Sequence, residues 1–206
     1  MSELRPRPEN LEAYLARGHL AFRLTPNPED VRTPKLAPCT CPCPGHPQGL
    51  DWDEIVVSHA HLLADLPAFA FADVEDFRTL KRHRVFAVTI NQRTLVYKPA
   101  INSASLINEV GMPKQLAVLP SGGALRVPKV EGILGAGTIY AGILMTHIPS
   151  TGILDEMIGT GVAVSTTERQ QWYNQISDAL RIVHRNGYYW GDAHPRNVVI
   201  DGNREV

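Results

Sequence analysis

The sequence predicts an α+β fold, with a β-rich front lobe and a helical back lobe. Three observations predict it. Two pairs of strand-like segments, each pair joined by a tight turn, fall between Arg84 and Thr146. A helix-capping signature followed by apolar residues at helical spacing runs from Ser165 to Gly187. Nine of the sixteen prolines lie in the first fifty residues and set an irregular leading segment apart from the rest.

That leading segment, residues 1–50, reads as an arm or linker with one short helix at 8–17, ended by Gly18. It contains Cys39, Cys41, Cys43 and His46, four soft-metal ligands in a row. Structural zinc sites space their ligands as two separated pairs, and Pro38, Pro42, Pro44 and Pro47 interrupt this run. A reduced, solvated loop and a metal site both stay open for it.

From Leu50 the composition becomes globular. Residues 53–66 are expected to be helical, with Ile55, His59, Leu62, Leu63 and Leu66 near one face. Residues 84–90 and 93–98 read as strands joined by a turn at Asn91-Gln92. A short helix is expected at 103–110, stopped by Gly111 and Pro113, with a second helical turn or two beginning at Pro113. Strands at 125–134 and 138–146 are expected to meet at Gly135-Ala136-Gly137. Ser165 and Glu168 form the capping box of the last helix, in which Trp172, Ile176, Ala179, Leu180 and Val183 recur on one face. Asn186-Gly187 closes it, and an apolar strand follows at 198–200.

Composition narrows the function classes. Hydrophobic residues make up 44% and charged residues 20% of 206, ordinary values for a globular protein. A net charge of -1 gives no reason to expect a nucleic-acid or acidic-membrane partner. The N-terminus is polar and broken by Pro6, unlike a signal peptide. No apolar run approaches the roughly 20 residues that span a bilayer. A cytoplasmic or nuclear location is expected.

The chemistry gathers in Trp190-Gly191-Asp192-Ala193-His194-Pro195-Arg196-Asn197. An Asp and an Asn five residues apart flank a turn stiffened by Pro195, with an amphipathic helix before it and an apolar strand after it. This resembles the catalytic loop of the protein-kinase-like superfamily, and Gly-Asp-x-His-Pro-x-Asn is similar to the aminoglycoside and choline phosphotransferase branch. Divergent eukaryotic kinase-like proteins show a similar loop. Trp190 stands where the superfamily usually has His, and His194 where it usually has a basic residue, so a conventional protein kinase is not implied.

The resemblance implies roles for further residues. Leu95-Val96-Tyr97-Lys98 resembles the strand whose Lys holds nucleotide phosphates, and Glu109, eleven residues on, would pair with that Lys. A solvated strand-end cation and a solvated helix charge are the plainer readings of the two. Residues 143–149 resemble the hinge between two lobes, where the backbone around Met145 and His147 would meet the adenine edge. Asp192 would accept the proton of an attacking hydroxyl, and Asn197 would offer an amide oxygen to Mg²⁺. His194 and Arg196 would touch substrate or phosphate, or be structural or solvent-facing.

Two pieces of the family pattern are not found. Residues 76–90, before Lys98, contain no glycine, so the glycine-rich phosphate cover is missing. No Asp-Phe-Gly follows Asn197 before Val206, and Asp201 is expected to face solvent in a turn. The layout is then an arm at 1–50, a kinase-like N-lobe with a preceding helix at 51–147, and a partial helical C-lobe at 148–206. The expected function is an ATP- and Mg²⁺-dependent phosphotransferase acting on a hydroxyl-bearing acceptor, weak or inactive as this truncated chain. The alternative is a non-catalytic pseudokinase that binds a protein partner through an uncovered face of Trp172, Ile176, Leu180 and Val183.

Overall fold

The computed structural model describes residues 50–81, 84–121, 125–159 and 163–206. The expected helix at 8–17 and the Cys39, Cys41, Cys43 and His46 run lie outside the described residues. The fold is mixed α+β, with a six-stranded sheet, a two-stranded sheet and helices. The chain divides into two compact units. One holds residues up to Gly111 together with Val130–Thr146; the other holds Met112–Lys129 together with His147–Val206.

The first unit is built on a hairpin. Strands β3 (Val85–Ile90) and β4 (Arg93–Pro99) pair antiparallel. Asn91 and Gln92 join them with φ of 50° and 61°, and two positive φ values match a turn to the right-handed twist of the strands. Strand β3 is almost wholly apolar because both faces of the sheet are covered. Phe86, Val88, Ile90, Leu95 and Tyr97 pack on one face with Val74, Phe77, Leu134 and Leu144. On the other, Ala100, Ile133 and Ile143 meet Ile55 of helix α1 (Trp52–Leu63) and Leu106 and Val110 of helix α2 (Ser103–Ala117).

Two strands of this sheet had no signal in the sequence. Strand β1 (Ala68–Phe69) is only two residues long and runs parallel to the strand that carries Ile133 and Leu134. Strand β2 (Asp76–Lys81) is an edge strand with only Phe77 buried, so its apolar alternation is too faint to read. The second expected hairpin is corrected in extent. Strands β5 (Val130–Leu134) and β6 (Gly142–Thr146) are shorter than expected, and residues 135–141 connect them. Pro128 has no N–H to give a ladder. The longer connection is tied by Thr138, whose hydroxyl donates to the Gly135 carbonyl at 2.8 Å while its own carbonyl accepts from Ala141 N–H at 3.1 Å.

Helix α2 does not stop at Gly111. It continues through Gly111 and Pro113 to Ala117, and the division between the two units passes through it after Gly111. Burial of Leu106, Val110 and Gly111 holds it across the proline, whose ring cannot donate to the Glu109 carbonyl one turn back.

The second unit, expected to be helical, opens on strand β7 (Ser150–Ile153), which pairs antiparallel with β8 (Val199–Asp201). Helix α3 (Leu154–Gly159) follows directly. Helix α4 (Thr166–Arg185) begins at Ser165, whose hydroxyl accepts from Glu168 N–H at 3.2 Å; Glu168 accepts in return from Ser165 N–H at 2.9 Å. The face expected to be uncovered is covered in part by the chain itself. Trp172 and Val183 are buried, Trp172 Nε1 donates to the Arg204 carbonyl at 2.8 Å, and the Arg204 guanidinium lies 5.6 Å above the indole. Asp201 is also corrected. It is buried, not solvent-facing, because it binds Arg126 and accepts N–H groups from Asn203 and Glu205.

Candidate functional site

Strand alternation decides where Lys98 goes. Leu95 and Tyr97 face the aromatic cluster, so Val96 and Lys98 face the other side, toward α2. Lys98 Nζ stands 2.9 Å from Glu109 Oε1 on that helix. The pair is partly open, with side-chain exposures of 41% and 22%, so it stabilises the fold by at most about 1 kcal/mol. Its geometry matters more: an ammonium carries three donors, and one carboxylate oxygen leaves others for an anion.

Beside Lys98 runs a row of register partners. Arg78, Ala87, Val96 and Met145 follow one another across β2, β3, β4 and β6. Met145 is half-buried against the apolar cluster under α1 and α2. Arg78 is the cation of this row, and sequence reasoning missed it because β2 itself carried no pattern. The β2–β3 hairpin precedes the Lys98 strand without a glycine between residues 76 and 90.

The second unit carries the other pair. Gly187, at φ +80°, ends α4 and releases the chain into the loop that contains Asp192. Pro195 to Asn197 form a single 3-10 turn capped by His194. Asn197 Nδ2 donates both to the Asp192 carbonyl and to Asp192 Oδ2, each at 2.9 Å. Two acceptors demand the amide NH₂, which turns the Asn197 oxygen away from Asp192. The turn is anchored downstream by buried Val198 and Ile200 in and beside β8, and the Val198 carbonyl accepts from Leu154 N–H at 2.9 Å.

Asp192 and Asn197 offer a carboxylate and an amide oxygen from one exposed turn, both hard ligands suited to Mg²⁺. Among the described residues there is no group of three or more His, Cys, Asp or Glu able to hold a metal. The turn therefore fits a magnesium ion that arrives with phosphate oxygens and water, and not one held by protein alone.

His147 follows β6 in the second unit, whereas Met145 lies in the first. Thus the structure brings together Lys98 with Glu109, and Asp192 with Asn197; the two pairs lie in different units. Asp155 is a further residue the sequence did not flag. Its carboxylate lies 3.7 Å from Arg196 Nε, a contact that no local pattern announces.

Two carboxylates of the second unit are held below their ordinary values, both by packing contacts. The backbone N–H of Ser165, then Arg204, holds Glu168 at about 2 in place of 4.5. The Arg126 guanidinium holds Asp201 below the usual carboxylate range. Among the described residues no helix is long and apolar enough to cross a membrane. No family model matches the chain, and comparison with curated proteins finds no match.

Proposed function

We propose that this chain is a kinase-like, ATP-binding domain that transfers a phosphoryl group to a hydroxyl acceptor. The observation that carries the reading is the Lys98–Glu109 ion pair at 2.9 Å, joining an apolar strand to the next helix. A Lys aligned by a Glu is what a phosphate anchor needs, because the carboxylate fixes where the ammonium points. Lys98 binds the phosphates and Glu109 orients it. The backbone around Met145 and His147 meets the adenine edge.

Asp192 orients the acceptor hydroxyl and takes its proton as the oxygen bonds to phosphorus and the bond to the leaving diphosphate breaks. Asn197 would offer its amide oxygen to magnesium, which would neutralise phosphate charge when bound. The Asn197–Asp192 hydrogen bonds keep the base and the ligand at one spacing before substrate arrives.

The test is thermal unfolding with ATP, with and without Mg²⁺. ATP–Mg²⁺ at a hundred times its dissociation constant is expected to stabilise the chain by about 2.7 kcal/mol. Lys98→Ala and Asn197→Ala each remove that gain while changing the unliganded stability by less than about 1 kcal/mol. No stabilisation by ATP in either condition overturns the reading. It would favour a non-catalytic, partner-binding domain, for which the exposed Tyr173, Tyr189 and Trp190 of the second unit are the supporting observation.

A further inference from the structure

We propose that His194 is a positioning residue that fixes Asn197 for magnesium, acting through the backbone of the turn and not by touching phosphate. The proposal rests on the phosphotransferase reading above. Pro195 opens the turn and has no N–H, so the first amide needing a partner is that of Arg196. His194 Nδ1 accepts it at 3.1 Å. The His194 carbonyl accepts the next amide, Asn197 N–H, at 2.8 Å. One residue thus satisfies both amides of the turn that carries Asn197, one with its ring and one with its backbone.

The cap also fixes the tautomer of the ring. A neutral imidazole has one acceptor nitrogen, and the Arg196 amide uses it at Nδ1, so the ring proton sits on Nε2. Nε2 lies 3.5 Å from Arg196 Nη2, and Arg196 Nε lies 3.7 Å from the Asp155 carboxylate on α3. Two donors face each other there, so the Arg196 amide on Nδ1, and not the guanidinium, sets the ring's position, while Asp155 draws the guanidinium aside. Loss of the ring acceptor frees the Arg196 amide, loosens the turn and releases the Asn197 side chain from its bonds to Asp192. Groups that orient a metal ligand in this way matter to the ion almost as much as the ligand does.

Three proteins decide it: the unaltered chain, His194→Ala and His194→Asn. An Asn side chain also accepts the amide two residues on, so it restores the cap without an imidazole. Magnesium is titrated at saturating ATP, and amide exchange at residues 196 and 197 is followed without metal. The expected result is a ten- to hundredfold weaker magnesium affinity in His194→Ala, with faster exchange at both amides, and recovery of both in His194→Asn. Unchanged affinity in His194→Ala, or no recovery in His194→Asn, overturns the positioning role and leaves the phosphotransferase reading standing. Failure of the unaltered chain to bind ATP–Mg²⁺ overturns both.

Discussion

Gly142 opens β6 at a point where no side chain fits. A methyl group there would overlap the Lys98 carbonyl oxygen and lie 2.7 Å from Pro99 Cα. Both are backbone atoms of the strand that carries the candidate phosphate anchor, so neither moves without shifting it. Gly142→Ala is expected to cost about 1–3 kcal/mol in a denaturant titration. It should also weaken ATP–Mg²⁺ binding, because Lys98 pairs in register with Ile143. Unaltered stability would mean that β4 and β6 do not meet in this register. Lys98, Glu109, Asp192 and Asn197 were legible in the sequence because each is a charged or amide residue at a fixed spacing beside a readable element. Arg78, Asp155 and the capping role of His194 were not. Their meaning comes from neighbours brought close by folding, such as Ala87 for Arg78 and Arg196 for Asp155.

Elements follow the same division between local and non-local signals. The β3–β4 hairpin and α4 are written locally, by a two-residue turn and by a capping box with a closing Gly187. Helix α2 shows the limit of that logic. Gly111 and Pro113 are strong local stop signals, yet the helix runs fifteen residues, to Ala117. Burial of Leu106 and Val110 against Ile133 and Ile143 outweighs them. The strain remains as a cost, since a proline inside a helix loses about 3 kcal/mol relative to alanine. Pro113→Ala is therefore expected to raise stability by about 1–3 kcal/mol, read as a higher unfolding midpoint. It gives the Glu109 carbonyl its helical donor and should leave ATP binding intact. A loss of stability would show that the proline ring packs to an advantage that its missing N–H conceals. Strands β1, β2 and β7 are the elements that no local pattern revealed, because two are very short and the third is an exposed edge.

At the scale of the molecule, each unit is stabilised by its own contacts, and acid should act on the two unequally. The first unit rests on apolar clusters on both faces of its sheet. The second has one smaller cluster around Met157, Trp172 and Ile200, supplemented by Arg204–Glu168 and Arg126–Asp201. Glu168 sits at about 2 in the fold against an ordinary value of 4.5, and Asp201 is lowered in the same direction. A carboxyl that binds its proton less readily when folded stabilises the fold above its ordinary value. That contribution is lost as pH falls through the interval from 4.5 toward 2. Protection factors from amide exchange should then drop first in α4 and β8 between pH 5 and pH 3, while β3 and β4 keep theirs (an interval of order the unfolded-to-folded carboxyl range, roughly 2 units). Glu168→Gln should flatten this response, because it removes the titrating group and leaves the neighbouring Ser165 hydroxyl cap in place. Equal loss of protection in both units would mean that the Ser165 and Arg204 contacts of Glu168 do not hold the second unit, and that its stability comes from the Trp172 cluster alone.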